Sequence, residues 1–323
     1  MRTWIVKTLA ILATGLLAGM AQAQAPWPDR PVRLVVPYAA GGAADALARV
    51  VATELGARLK QQVLVENKAG AGGTIGAQAV AQAPADGYTF LYDATSFTVN
   101  PHLFPKLAFS YERDFAPVGM IARIPTLLVV PASSPVNSVA DLVQRARSKP
   151  GETTYASAGN GGAAHLSAEL FAQGHRLELI HVPYKGGAPA LTDLAGGQVG
   201  LMFSAITASG PLVKAGKLKA IATAFDRRID AMPQLPTVAE AGLPGFSAYE
   251  WNAIWAPATT PADIVRRMET ELIEVLAQPA VKQRLADLGA LPAGGGAKEL
   301  ATFVRAETGK WATVIKTARI KLD

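Results

Sequence analysis

Short apolar runs alternate with helix-period segments along almost the whole chain, and that alternation restricts the fold more than any other feature. Runs at Val32–Val36, Val63–Val65, Tyr88–Tyr92, Thr126–Val130, Thr154–Ala156, Leu179–Val182, Val199–Phe203, Lys219–Thr223 and Ala253–Trp255 read as strands. Segments around 43–60, 74–83, 138–148, 163–173, 187–195, 209–215, 261–276 and 298–316 read as helices. Strands that alternate with helices imply an α/β fold with mostly parallel sheets. One unit of it is written twice. VVPYAAGGAADALARVVATEL, Val35 to Leu55, ends an apolar run on Pro37-Tyr38, adds Gly41-Gly42, and then sets Leu47, Val50, Val51 and Leu55 on one helix face. From His181 the chain writes HVPYKGGAPALTDL, with the same Val-Pro-Tyr and Gly-Gly.

A second pair of echoes divides the chain. LLVVPASSPVNSVADLVQRA from Leu127 and AIWAPATTPADIVRRMETEL from Ala253 share a plan of apolar strand, Pro-Ala, two hydroxyl residues, proline and helix. Ser138-x-x-Asp141 and Thr260-x-x-Asp263 resemble capping boxes, the second with Pro261 at the first helical position. A chain passing twice between two domains would show this pattern, although it is also ordinary strand–turn–helix grammar. The division it suggests is a discontinuous first lobe, 26–124 and 250–323, around a second lobe, 125–249. Two domains also suit a mature chain of roughly 300 residues.

Residues 1–25 read as a secretory signal peptide. Arg2 and Lys7 give a positive start, Ile11 to Met20 is apolar but shorter than the ~18–20 residues of a membrane span, and Ala21-Gln22-Ala23 is a small-x-small cleavage site. Cleavage after Ala23 and after Ala25 are equally readable. The chain is therefore expected to be secreted.

Several chemistries are excluded. The sequence has no cysteine, hence no disulfide, thiolate metal site or cysteine nucleophile. Loss of Arg2 and Lys7 lowers the net charge from +6 to +4, and the excess is scattered, which does not suit a nucleic-acid partner. His102, His165, His175 and His181 lack metal-ligand spacing. No metal, cofactor or catalytic residue is therefore expected.

Three loops place glycine before a helix: YAAGGAAD (38–45), NKAGAGGTIGA (67–77) and YASAGNGGAAH (155–165). A helix start carries unpaired N–H groups and partial positive charge, so it receives anions. Gly159-x-Gly161-x-x-Ala164 with Glu178 matches a relaxed dinucleotide fingerprint, a weak signal in mid-chain. Tyr155-Ala-Ser157-Ala-Gly159 resembles a nucleophile elbow whose first glycine is tyrosine, with no nameable histidine or acid partner. A secreted serine hydrolase using Ser157 is the alternative from another class.

The ordered motifs resemble the Bug family, the extracytoplasmic solute receptors of tripartite tricarboxylate transporters. They begin with Val36-Pro37-Tyr38-x-x-Gly41-Gly42-x-x-Asp45, Val65-Glu66-Asn67-Lys68-x-Gly70-Ala71-Gly72-Gly73 and Asp86-Gly87-Tyr88-Thr89. They continue through Tyr155-x-Ser157-x-Gly159, His165-Leu166, His181-Val182-Pro183-Tyr184-Lys185-Gly186 and Pro236-Thr237-Val238-Ala239-Glu240-Ala241-Gly242-Leu243-Pro244-Gly245. Ala69 and Ala85 stand where the family usually has proline, and Leu107-Ala108-Phe109-Ser110 replaces a more usual Leu-Pro-Tyr-Asp.

The resemblance implies a two-lobed periplasmic binding protein of type II, a monomer that closes on a small carboxylated solute and delivers it to transporter membrane subunits. The solute classes are dicarboxylate, aromatic acid or acidic amino acid. The same residues would serve a ligand-loaded sensor that docks on a membrane signalling protein. Carried over residue by residue, it nominates Tyr38, Ala39, Gly41, Gly42 and Asp45 from the first lobe, Ser157, Gly159, Asn160, Gly161 and His165 from the second, and Gly72, Gly73 and Thr74. Asp45 would repel an anion, so its role is to accept first-turn N–H groups. Specificity is assigned to strand ends: Thr95, Ser96 and Phe97; Ser204, Ala205 and Thr207; and Tyr249 to Asn252, with Phe97 and Trp251 able to stack on an aromatic acid. Four hydrogen bonds to a charged group, each about 1.5–3 kcal/mol, reach the ~8 kcal/mol of micromolar affinity without an arginine.

Overall fold

The computed structural model describes residues 27–322, and the leader expected at 1–25 lies outside them. The chain runs β1 (Val32–Val36), α1 (Ala43–Leu59), β2 (Val63–Asn67), α2 (Thr74–Ala81), β3 (Thr89–Ala94), α3 (Ser96–Leu103) and β4 (Phe115–Ile124). It continues through β5 (Thr126–Pro131), α4 (Val139–Ser148), β6 (Thr153–Ser157), α5 (Ala163–His175), β7 (Leu179–Pro183), α6 (Gly187–Ala195), β8 (Leu201–Ala205), α7 (Ile206–Lys214) and β9 (Leu218–Thr223). β10 (Glu250–Pro257), α8 (Ala262–Ala277), α9 (Pro279–Asp287), β11 (Leu291–Pro292) and α10 (Ala297–Ala318) follow.

The strands form two sheets, ordered β11-β4-β10-β3-β1-β2 and β7-β6-β8-β5-β9. The α/β architecture is the one read from the sequence, but each sheet is mixed. β2, β1 and β3 are parallel, as are β7, β6 and β8. β10 runs antiparallel between β3 and β4, and β5 antiparallel between β8 and β9, so β4 and β9 keep the direction of their parallel sets. The reversed strands flank the passages between sheets. β4 runs into β5 through Pro125. On the return, Ala224 N donates to Thr126 O at 2.7 Å and Ala248 N to Ala224 O at 2.8 Å, just before β10. The echoed segments at Leu127 and Ala253 therefore lie in β5 and β10, the strands by which the chain enters each sheet.

Local rules account for most elements. Val32, Leu34, Val35 and Val36 are buried because helices cover both faces of β1, so the strand reads as an apolar run broken only by the exposed Arg33. α1 buries Leu47, Val51, Leu55 and Leu59 on one face, with Asp45 in its first turn. Ser138 caps α4 by accepting from Asp141 N at 3.1 Å, as its spacing implies. Thr260 does not cap α8. Pro261 takes that position, and its carbonyl accepts from Ile264 and Val265, leaving the buried Thr260 Oγ1 without a partner. β4 escapes sequence reading because Pro117 and Gly119 interrupt its apolar run, and α3 because it contains Pro101.

Helix α10 joins the two cores. Its first half buries Leu300 among Phe97, Trp251 and Trp255 of the first sheet's core. Its second half buries Trp311, Val314 and Ile315 with Tyr155, Leu166 and Phe171 beside the second sheet. Val99 of α3 belongs to that second cluster too. Truncation of Trp311, 2% exposed and donating its Nε1 hydrogen to Glu307 at 3.0 Å, is expected to destabilise the fold by about 3–5 kcal/mol. Urea denaturation of Trp311→Ala checks this, and a loss below about 1 kcal/mol would remove α10 from the second core.

Candidate functional site

The carboxyl ends of β1 and β3 face the loop after β6 across a cleft of about 650 Å³. Tyr38, Ala43, Ala44, Gly72, Thr95, Ser96 and Asn100 line one wall, and Asn160, Gly161, Gly162 and Ala163 the other. Ile124, Glu250 and Asn252 lie where the chain crosses between sheets, and among the described residues no Lys, Arg or His lines the cleft. The starts of α1 and α5 both reach this cleft, with Gly42 and Gly162 as their N-cap residues. Neither glycine offers a capping side chain, so the first-turn N–H groups are left for solvent or a ligand.

The first wall is shaped by two carboxylates in opposite environments. Asp45 accepts from Gly41 N, from Arg49 Nε and from Asn67 Nδ2, each at 2.9 Å. Asn67 also donates to Tyr38 O at 3.1 Å, so it fixes the first glycine loop rather than the second. Arg49 above all, then the Gly41 and Asn67 donors, hold the Asp45 carboxyl down at about 2. Asp93 is fully buried, and its Oδ1 accepts from Tyr38 OH at 2.8 Å, Ser96 Oγ at 2.6 Å and Ala94 N at 2.7 Å. Burial pushes Asp93 up to about 6 against the pull of those neutral donors.

The second wall rests on a stack of rings. His165 lies on His181 with centroids 3.8 Å apart, and His181 on Tyr155 at 4.9 Å. Gly161 N donates to His165 Nδ1 at 3.1 Å, which makes Nε2 the protonated nitrogen of a neutral ring. Burial, and then His181, lower His165 to about 4. Gly161 has φ +71°, and a Cβ there would overlap Leu103 of α3 across the cleft. Only glycine suits both demands.

Of the residues nominated from sequence, Tyr38, Gly72, Thr95, Ser96, Asn160 and Gly161 line the cleft, as do Glu250 and Asn252 of the Tyr249–Asn252 segment. Ala39, Gly41 and Gly42 form the exposed turn leading into α1, and Asp45 lies buried behind it. Gly73 packs toward Pro37, and Thr74 Oγ1 donates to Ala71 O at 2.8 Å. Ser157, Gly159 and His165 support the second loop from beneath. Ser204 is buried, with its Oγ turned to Ala205 O. Thr207 lies outside the cleft, where a Cβ on Gly289 would fall 2.5 Å from its Cγ2. Phe97 and Trp251 are core residues, the former stacked on Trp255 at 3.8 Å, so neither meets a solute. Ala43, Ala44, Asn100, Leu103 and Phe104 were missed. They follow expected turns, but α3 itself was hidden by its proline.

Ser157 has the histidine neighbour that the sequence could not name, since its Oγ is 2.6 Å from His181 Nε2. The arrangement does not suit a nucleophile. Ser157 is 0% exposed, and its Oγ is enclosed by Gly159 O at 3.0 Å, Gly159 N at 3.2 Å and His181 Nε2, so no solute carbonyl reaches it. Among the described residues, no group of His, Asp or Glu is placed to hold a metal ion, and no helix is long and apolar enough to cross a membrane.

Two α/β sheets joined by two strand crossings, with helix starts converging on the cleft between them, define a two-lobed solute-binding protein. Residues 47–320 match the tripartite tricarboxylate transporter family receptor, and the chain belongs to that family. It is 38% identical over 320 residues to the UPF0065 protein in the tcbD-tcbE intergenic region of Pseudomonas sp. (strain P51), covering 98% of this chain and 95% of that one. Among solved structures it is similar to R. palustris Rpa4515 with adipate, at 40% identity and TM-score 0.79, covering 91% of this chain and 99% of that one. It is also similar to the periplasmic binding protein BugD, at 35% identity and TM-score 0.75, with the same coverage of 91% and 99%.

The ring stack makes a prediction. An unfolded histidine titrates near 6.5 and His165 near 4, so the stability that rests on its neutral form is lost as pH falls from about 6.5 to 4. Asp93, raised to about 6, acts in the opposite sense, gaining stability as pH falls from 6 towards 4. The comparison is therefore with His165→Gln, whose amide oxygen can accept the Gly161 N–H while Asp93 still titrates. Between pH 7 and 4.5 the stability of the native protein relative to this variant is expected to fall by roughly 1–3 kcal/mol in urea titrations. A pH-independent difference would contradict the neutral stack.

Proposed function

We propose that this protein is a periplasmic receptor that captures a small organic carboxylate between two lobes and delivers it to the membrane subunits of a tripartite tricarboxylate-type transporter. One observation carries the reading. Two helix starts capped by glycine face each other across a cleft that, among the described residues, no cationic side chain lines, so an anion there is received by main-chain N–H groups. The family match and the adipate in the Rpa4515 structure support a carboxylate. The lobes in this reading are 26–124 with 250–323, and 125–249, a division supported by the two sheets and their crossings. Secretion rests on the leader read in residues 1–25 and on the extracytoplasmic role of such receptors. Buried and hydrogen-bonded as it is, Ser157 leaves no hydrolase reading.

Tyr38, Gly72, Thr95, Ser96, Asn160 and Gly161 touch the solute in this reading, together with the first-turn amides of Ala43, Ala44 and Ala163. Asp45, Gly41, Gly42, Gly159 and His165 hold the loops that present them. Gly161 packs against Leu103 where the two walls meet. Calorimetric titration of the mature chain with a panel of carboxylates that includes adipate is expected to give saturable micromolar or tighter binding, with the solute recovered unchanged. Gly161→Val, which adds a β-branched side chain at positive φ against Leu103, is expected to weaken that binding at least tenfold. Undiminished affinity in this variant would place the solute elsewhere.

A further inference from the structure

The cleft offers more than anion-receiving amides. On the wall built by β10, Glu250 pairs in register with Ile124 of β4, and Asn252 lies between Ala122 of β4 and Ala94 of β3. Both residues line the cleft. The Glu250 side chain forms no hydrogen bond or ion pair with another described residue, and Asn252 Oδ1 and Thr95 Oγ1 have no partner although their residues are only 3% and 8% exposed. Buried polar atoms without partners are rare in folded proteins and call for a ligand or ordered water. Here the unpaired groups are a carboxylate, an amide oxygen and a hydroxyl, and all three accept hydrogen bonds.

A solute carrying only carboxylates answers this wall badly. With one acid group at the helix starts, a second would approach Glu250, and no cationic side chain among the described residues lines the cleft to separate the two charges. An ammonium answers it well, since it brings three donors and a positive charge to acceptors that lack both. Resting on the receptor reading above, we infer that the solute is an amino acid, with its carboxylate at the starts of α1 and α5 and its amine at Glu250, Asn252 and Thr95. Glu250 then determines specificity, by attracting the amine and by repelling the plain diacid of the same length.

The test is calorimetric titration of chain-matched pairs: succinate with aspartate, glutarate with glutamate, adipate with 2-aminoadipate, and hexanoate with norleucine. In at least one pair the aminated member is expected to bind tenfold or more tightly than its partner. Glu250→Gln is expected to reverse the order, weakening the aminated member at least tenfold and tightening the plain acid. The inference is overturned if plain acids bind native protein as well as the aminated ones, or if Glu250→Gln keeps the original preference. Plain acids that bind best to the native protein and weaken in the variant would mean that a protonated Glu250 donates to a second carboxylate. Silence of every acid would overturn the carboxylate reading itself, so the two failures are distinguishable.

Discussion

A negative charge in this cleft is balanced by main-chain dipoles, because no Lys, Arg or His side chain among the described residues lines it. Each first-turn N–H carries only a fraction of a charge, and its effect fades within about a turn, so the donors must be held close and few can be lost to misorientation. The supporting side chains serve this requirement. Asp45, Asn67 and Arg49 pin the loop before α1, while His165 takes the Gly161 N–H and fixes the loop before α5. Neither carboxylate nor imidazole needs to touch the solute to decide where the amides point.

Asp45 and Asp93 show how environment separates two chemically identical groups. Asp45 lies in the first turn of a helix, paired with a guanidinium, and stays ionised at low pH. Asp93 is buried with only neutral donors, and it ties the end of β1, the end of β3 and the start of α3 to one oxygen through Tyr38, Ala94 and Ser96. An ion at Asp45 orients a loop, whereas the hub at Asp93 fixes the relation between three elements of one wall. That division lets the Tyr38 ring, the residue after the Val-Pro pair, serve as cleft lining and structural strut together.

Both sheets and most helices were legible in the sequence because their apolar runs are uninterrupted and their turns carry glycine or proline. The glycine loops were legible as a local signal, since a missing capping side chain before an apolar helix is visible in the letters. What could not be read was anything created by two distant segments meeting. Ser204 and Thr207 follow a strand end and looked like solute contacts, but one is buried and the other faces Gly289. Phe97 and Trp251 looked like platforms for a ring, yet both are packed into an aromatic core behind the cleft. Asn100 and Leu103 were hidden because Pro101 argues against the helix that positions them. His181 could be paired with Ser157 only once β6 and β7 were placed side by side.

Helix α10 constrains how such a cleft can open. Two strand crossings alone would leave the sheets free to hinge about the segments at 124–126 and 224–250. A helix of 22 residues, about 33 Å long, is a stiff element, and this one is buried at its start in the first core and at its end in the second. Pulling Trp311, Val314 and Ile315 out of the second core would expose large apolar side chains at a cost of several kcal/mol, which a small solute cannot readily offset. Opening must therefore keep that end seated and pivot near the seam where Val99 and α10 meet the second core. Leu103, one turn beyond Val99 on α3, packs against that same core, and Gly161 meets it there, so the missing side chain at Gly161 is what lets the walls sit close beside the pivot.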